Sequence, residues 1–193
     1  MGWKEILRRF FGKGVCPYQL SFVLDSPLRR LILSPRKLVE RLHLRENCRM
    51  LEIGCGSGYF SVGVARHVPN GRLELLDVQR GMIERARRRI TSAGLRNVGF
   101  VLGDATRLPF SDGVFDVVFL VAVLGEVSNK KECLNEIYRV LKPSGLLSIT
   151  EQPGDPDFLP MPIVRSLAEG CGFVLAESFG KGKNFTLNFR KDI

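Results

Sequence analysis

The residues best placed to do chemistry form the run Leu51-Glu52-Ile53-Gly54-Cys55-Gly56-Ser57-Gly58, in which an apolar stretch breaks into three glycines at alternate positions. A glycine turn after a strand lets a ligand come against the main chain, and in an open α/β sheet ligands sit at the carboxyl ends of the strands. Two common ligand classes are excluded by spacing. A dinucleotide-binding turn needs glycine where Tyr59 stands, and a phosphate-binding P-loop needs a Gly-Lys-Ser/Thr that does not follow. Acidic side chains recur after the later apolar runs: Asp77 after the second, Asp104 after the third, Glu126 after the fourth and Glu151 after the fifth. Carboxylates in such places can accept hydrogen bonds from a ligand or hold a proton.

The elements that must position these residues are legible in the hydrophobic spacing. Residues 49–53 read as a strand, and Phe60, Val64, Ala65 and Val68 recur at helical spacing beyond the glycines. Residues 72–78 make a second strand, and Met82, Ile83, Ala86 and Ile90 line one face of the next helix. Arg85, Arg87, Arg88 and Arg89 fall mostly on its other, solvated face. Residues 98–102 and 115–123 are predicted strands. Cys133, Leu134, Ile137, Tyr138 and Leu141 mark a helix that Pro143 and Gly145 stop. A strand over 146–150, a proline-rich loop over 153–162 and a short helix ending near Gly170 or Gly172 follow. Residues 173–179 and 185–189, with only a turn between them, must pair antiparallel, because a parallel partner needs a crossover. Strands alternating with helices predict a mostly parallel sheet covered on both faces.

Composition agrees with one globular domain. The chain has 193 residues, 45% hydrophobic and 25% charged, with a net charge of +9. Its longest uninterrupted apolar run, Val117 to Leu124, has eight residues, against the ~20 that a membrane-spanning helix needs. Five scattered cysteines without a C-x-x-C pair argue against a disulfide framework and a zinc site, so no metal is expected. Residues 1–15 lack an apolar core followed by a small-residue cleavage site, and a cytoplasmic location is the expectation. The charge is uneven: residues 1–96 hold 19 basic and 8 acidic side chains, residues 97–193 hold 10 and 12.

The glycine run resembles motif I of the class I S-adenosylmethionine (SAM) dependent methyltransferases, and further segments match in order. Asp77 ends the second strand at the family's place. Gly103-Asp104-Ala105-Thr106-Arg107-Leu108-Pro109-Phe110, Phe115-Asp116-Val117-Val118 and Tyr138-Arg139-Val140-Leu141-Lys142-Pro143-Ser144-Gly145 match the segments around strands three, four and five. The match covers residues 36–151 and is nearest to the ubiquinone/menaquinone-type subgroup of small-molecule methyltransferases. It implies an α/β fold: a Rossmann-like seven-stranded, mostly parallel sheet with an antiparallel closing strand and helices on both faces. Residues 36–193 would form that domain, preceded by an amphipathic arm or lid over residues 1–35.

The resemblance also implies a cofactor, SAM, and a set of contacts. Asp77 would accept both ribose hydroxyls, Val78 would pack on the adenine, and Asp104 would accept from the adenine amino group with Ala105 beside it. Gly54, Cys55, Gly56 and Gly58 would bring main chain to the methionine part, near Val121. Glu52 would orient the loop or meet the amino group through water. Asp104 could instead be a turn residue or helix cap, and Cys55 is explained as a small side chain packed in the loop.

Methyl transfer from a sulfonium needs alignment, plus a base only where the nucleophile must lose a proton. Glu126, Glu151 and Tyr18 are candidates for that base. The histidine pair of related enzymes is replaced here by Gly125-Glu126. In the arm, Trp3, Ile6, Leu7, Phe10 and Phe11 recur at helical spacing between basic residues. Such a helix could lie on anionic lipid, cap the pocket or dock on the domain. The expected function is methyl transfer from SAM to a small hydrophobic or anionic acceptor. The alternatives are an RNA or protein methyltransferase and a SAM-binding module without catalysis. Nucleic acid is the less favoured partner, because strand four lacks the Asn/Asp-Pro-Pro-aromatic ending of amino-group methyltransferases and no RNA-binding motif is present.

Overall fold

In the computed structural model, which describes residues 33–191, the sheet strands are β1 (Arg49–Ile53), β2 (Arg72–Asp77), β3 (Val98–Leu102), β4 (Phe115–Val121), β5 (Leu141–Glu151), β6 (Phe173–Lys181) and β7 (Asn184–Lys191). They pair in the order β3-β2-β1-β4-β5-β7-β6. The first five are parallel, and β7 lies antiparallel between β5 and β6. The order reverses between β1 and β4, so the glycine run after β1 opens at the switch point where such sheets bind ligands.

Helices cover both faces, as the near-continuous burial of β1 and β4 demands. On one side lie α1 (Pro35–Leu42), α2 (Ser61–His67) and α3 (Arg80–Ser92). They contribute Leu38, Leu42, Val64, Ala65, Ile83, Ala86 and Ile90 to a core with Met50, Leu73, Leu75 and Phe119. On the other side α4 (Lys130–Val140) and α5 (Met161–Glu169) bring Cys133, Leu134, Ile137, Val140, Val164 and Ala168 against Leu51, Leu120, Leu147, Phe185 and Phe189. Short side-chain devices set the helix starts. Ser34 caps α1 by accepting from Lys37 N, with Pro35 following, and Asn129 caps α4 by accepting from Glu132 N.

Several boundaries differ from the sequence expectation. The apolar stripe through Leu141 predicts one more helical residue, but the helix ends at Val140. Leu141 already pairs with Phe115. Pairing resumes at Val117 with Leu146, so Lys142 to Gly145 form an irregularity within β5, with Ser144 at φ 58°. Pro143 and Gly145 therefore bend a strand rather than separate two elements. The closing strands are longer than predicted, reaching Lys181 and starting again at Asn184. β2 stops at Asp77, one residue early. α1 and a 3₁₀ turn at Leu124–Glu126 lie outside the predicted elements, although Leu38 and Leu42 of α1 stand at helical spacing. The arm through residue 32, with Tyr18 and the amphipathic pattern, lies outside the described residues.

Two of the matched segments turn out to be braces remote from the glycine run. Asp116 Oδ2 accepts from Arg49 N at 2.8 Å and Oδ1 from Lys142 Nζ at 2.9 Å, tying the starts of β1, β4 and β5. Burial alone would raise the Asp116 pKa, but these bonds hold it below the ordinary carboxylate value. Arg139 donates to the Leu108 and Phe110 carbonyls and to Asp112 and Glu136, pinning the segment after β3 to α4. Among the described residues no helix is long and apolar enough to cross a membrane, and no group of three His, Cys, Asp or Glu side chains could hold a metal ion.

Candidate functional site

The site is built at the carboxyl ends of β1, β2, β3 and β4. Gly54 N and Cys55 N both donate to Leu76 O, at 2.8 and 3.2 Å, folding the glycine run toward β2. Gly54 has φ 67°, and a Cβ there would stand 2.4 Å from a Val123 methyl, so only glycine lets the strand β4 tail pack under the turn. Gly56, at φ 54°, differs: a Cβ on it would meet nothing within 4 Å. Its main chain therefore borders open space, as a loop that cradles a ligand must.

Asp77 is the hub. Only 7% exposed, it accepts from Gly56 N at 3.0 Å through Oδ2 and from Gln79 N at 2.9 Å through Oδ1. Burial lifts its pKa, and the N–H groups of Gln79, Gly56 and Val78 oppose the rise. An ionised carboxylate offers about four lone-pair sites, so acceptor capacity remains for a ligand. The backbone of Asp77 also accepts from Gly103 N at 3.1 Å, which sets the segment after β3 beside it. Asp104 follows there, exposed, with Oδ1 accepting from Thr106 N at 2.8 Å and Thr106 Oγ1 at 2.9 Å. Those bonds make it a turn residue.

Two apolar side chains stand out at this edge. Val78 is 54% and Leu102 49% exposed, while Ala105 beside them is buried. Leu102 went unnoticed in the sequence, though a leucine directly before Gly103-Asp104 is a readable signal once the strand end is known. Glu52 is buried and accepts from Ser61 Oγ at 2.5 Å, joining β1 to the helix beyond the glycines. The Cys55 thiol is pushed well above its ordinary pKa by burial, then by Glu52 and Asp77. It stays a thiol and packs in the turn, with no nucleophilic role.

Toward β5 the geometry changes character. Val121 ends β4 opposite Thr150, and Ala122 adopts φ 55°, an uncommon backbone for a residue with a Cβ. The 3₁₀ turn follows, half-burying Glu126. A Cβ on Gly125 would lie 1.8 Å from Asp157 O, so this turn and the segment after β5 touch main chain to main chain. Gly125→Ala should therefore displace that segment, at ~1 to 3 kcal/mol of stability for the overlap. We expect a lowered melting temperature, which a thermal melt measures.

Glu151, the last residue of β5, is fully buried on the face shared with Leu147 and Ile149. Its Oε2 accepts weakly from Leu159 N at 3.5 Å and its Oε1 has no hydrogen-bond partner among the described residues. Burial pushes its pKa up to about 8, the bond from Leu159 opposes and Asp155 adds to the rise. A separate groove of about 640 Å³ lies between the segment after β3 and α4, lined by Thr106, Arg107, Glu132, Asn135 and Arg139. It sits away from the glycine turn, and its Arg139 is fully engaged as a brace.

Comparison with known proteins identifies the family. A family model described as a methyltransferase domain matches residues 44–168. A demethylmenaquinone methyltransferase of Listeria monocytogenes is 33% identical over 124 residues, 63% of this chain and 52% of that protein. The ubiquinone/menaquinone biosynthesis C-methyltransferase UbiE of Ectopseudomonas mendocina is 38% identical over 141 residues, 71% of this chain and 54% of that protein. The chain thus spans about half the length of these relatives. Among solved structures, a SAM-dependent methyltransferase from Aquifex aeolicus superposes with a TM-score of 0.84 at 24% identity, covering 91% of this chain and 98% of that one. The [4+2]-cyclase SpnF superposes at 0.73 and 21% identity, covering 85% and 80%. The last pair shows the fold, a Rossmann-like methyltransferase sheet, and shows equally that this fold hosts more than one chemistry. With the family model spanning the glycine turn, Asp77, the braces and most of α5, the chain belongs to the methyltransferase-domain family.

Proposed function

We propose that the protein transfers a methyl group from SAM to a small acceptor with hydrophobic or anionic character. The observation that carries the reading is the coupling of Gly56, open on its ligand side, to a buried Asp77 with spare acceptor capacity. When bound, SAM supplies a sulfonium whose methyl carbon is open to in-line attack, the sulfur taking the electron pair of the broken bond. The residues present fit that group. Asp77 would accept from the ribose while continuing to hold Gly56 and Gln79. Val78, Leu102 and Ala105 offer an apolar slot for adenine, and Asp104 Oδ2 an acceptor for its amino group. Gly54, Cys55 and Gly56 present main chain to the methionine part, Gly58 turns the chain into α2, Glu52 holds that helix in register, and Val121 closes the far side.

The chain's part in the reaction is alignment, which can supply several kcal/mol of the barrier. Of the candidates for proton handling, Glu126 sits at the mouth of the β4 end and suits a base. Glu151, held protonated at neutral pH, can donate a hydrogen bond but does not suit a base. The relatives' printed names concern quinone precursors and support an acceptor of that lipophilic, small-molecule kind. Transfer of labelled methyl from SAM into a fractionated cell extract tests the reading. We expect label in the lipid or small-molecule fraction with wild type and none with Asp77→Ala. Label confined to RNA or protein would overturn the acceptor class, and tight SAM binding without any transfer would leave a binding module.

A further inference from the structure

Part of the basic surplus of residues 1–96 gathers on one face of the fold. The helices α1, α2 and α3 lie side by side over one side of the sheet. Outward they expose six basic side chains, Arg36, Lys37, Arg66, Arg80, Arg87 and Arg88, against two acidic ones, Glu40 and Glu84. On the opposite side α4 and α5 expose two of each sign, Lys131 and Arg165 with Glu132 and Glu169. Of those, Arg165 and Glu169 pair at 2.8 Å. The unbalanced charge therefore belongs to one helical layer and not to the other.

Helix stability does not account for it. On α3, Arg80, Glu84, Arg87 and Arg88 stand at i, i+4, i+7 and i+8, an outward stripe, because Met82, Ile83, Ala86 and Ile90 fill the inner face. Arg36 pairs with Glu40 at 3.0 Å, and Arg87 lies over the Phe100 ring at 4.5 Å. Lys37, Arg66, Arg80 and Arg88 make no ion pair among the described residues. Arg36, Lys37 and Arg80 also stand in first turns, where the helix dipole disfavours positive charge, and neither α1 nor α3 has an acidic residue in that turn. A layer of external anions relieves this repulsion.

We propose that the outer face of α1, α2 and α3 docks on an anionic lipid surface. Its charge complements a plane of phosphate headgroups, which guanidinium groups bind well. Nucleic acid fits less well. The three helices contain no aromatic side chain on which a base could stack. Each lies lengthwise against the sheet, so none projects into a groove as a recognition helix does. The face also borders the mouth of the site. Pro35 at the start of α1 lies against Gly63 in the first turn of α2, and α3 begins three residues after Asp77. Arg36, Lys37 and Arg80 thus hold headgroups at the end of the sheet where a lipophilic acceptor would enter. That last step rests on the methyl-transfer reading; the docking surface itself does not.

The test is co-sedimentation of the 193-residue chain with vesicles of phosphatidylcholine alone and of phosphatidylcholine mixed with phosphatidylglycerol. Wild type should bind only the mixed vesicles and release them at high salt. Each basic residue near such a surface contributes about fivefold in partitioning, so the triple variant Arg66→Gln, Arg80→Gln, Arg88→Gln should bind about hundredfold more weakly. The control pair Lys131→Gln, Arg165→Gln on the opposite face should stay within about twofold of wild type, because its groups stand away from the membrane. Equal binding to both vesicle types, no binding to either, or an equal loss in the control pair overturns the proposal. So does undiminished binding by the triple variant, which would move the contact to another part of the chain. Should that variant fail to fold, Arg88→Glu with wild-type melting decides, and wild-type binding by it overturns the surface. Binding of a mixed-sequence RNA at physiological salt without vesicle binding would assign the face to nucleic acid instead. Titration with S-adenosylhomocysteine, the demethylated cofactor, reads the methyl-donor reading separately. Vesicle docking without that binding keeps the surface and sinks the donor reading, and the converse result does the reverse.

Discussion

Asp77→Ala is expected to weaken SAM binding by roughly hundredfold or more. A hydrogen bond to a charged group contributes ~1.5 to 3 kcal/mol, and each 1.4 kcal/mol is tenfold. The proposed ribose contacts alone would therefore account for a loss of about ten- to hundredfold. The structure adds a second term, because the same carboxylate holds Gly56 N and Gln79 N. Without it the glycine turn loses the tie that keeps its open face toward the ligand, and two N–H groups must find water instead. Asp77→Asn does not repair this, since the amide offers one acceptor oxygen and turns an NH₂ group toward a backbone donor. Asp104→Ala, by contrast, removes an exposed turn residue and should cost about tenfold or less. Calorimetric titration of SAM into the three variants reads the ranking directly. SAM binding by Asp77→Ala and Asp104→Ala at wild-type strength would show that the site lies elsewhere.

Glu151→Gln should make the protein more stable at alkaline pH and flatten its pH dependence. The folded-state pKa of Glu151 is about 8 against an ordinary 4.5, the first cause being burial. Its contribution to stability is therefore fully present below pH ~4.5 and is lost as pH rises through ~8. Over that window the unfolded chain releases a proton that the folded chain keeps, so stability falls by about 1.4 kcal/mol per pH unit. At pH 9 the wild type carries the whole cost of a buried carboxylate, on the order of several kcal/mol. Glutamine has the same shape and no charge to bury. Denaturant melts at pH 6 and pH 9 should show a wide gap for wild type and a narrow one for Glu151→Gln. Parallel curves for the two proteins would mean that Glu151 ionises freely in the fold.

The residues proposed to hold the cofactor could be picked out of the sequence because they are close to strand ends. Gly54, Gly56 and Asp77 follow apolar runs whose ends can be counted, and a turn needing positive φ leaves glycine as its mark. The polar contacts between α1, β5 and β7 were not readable in that way. Arg41 lies in a helix whose Ser34-Pro35 start and Leu38/Leu42 spacing were readable, but nothing local says that its side chain reaches Thr186 on β7. Thr150 and Thr186 are 36 residues apart and become neighbours only because β7 inserts beside β5. Glu151 was legible as an acidic residue after a strand, but nothing local says that it is buried and protonated. The boundary at Leu141 failed for a related reason: a leucine that fits a helical stripe was taken into the sheet by its partner Phe115.

The amino-acid sequence by itself determined the strand and helix alternation, the switch-point turn and the carboxylate that serves it, because these depend on spacing within short stretches of chain. It also carried the braces Asp116 and Arg139 as matched segments, without saying what they brace. Only the tertiary structure decided which carboxylates are bound, buried or exposed. Asp77 ties a turn, Asp104 ends as an exposed bend, and Glu151 loses its charge, three fates for one functional group. The reason is that desolvation and hydrogen bonding are set by neighbours from other strands and loops, and those neighbours exist only once the sheet has assembled.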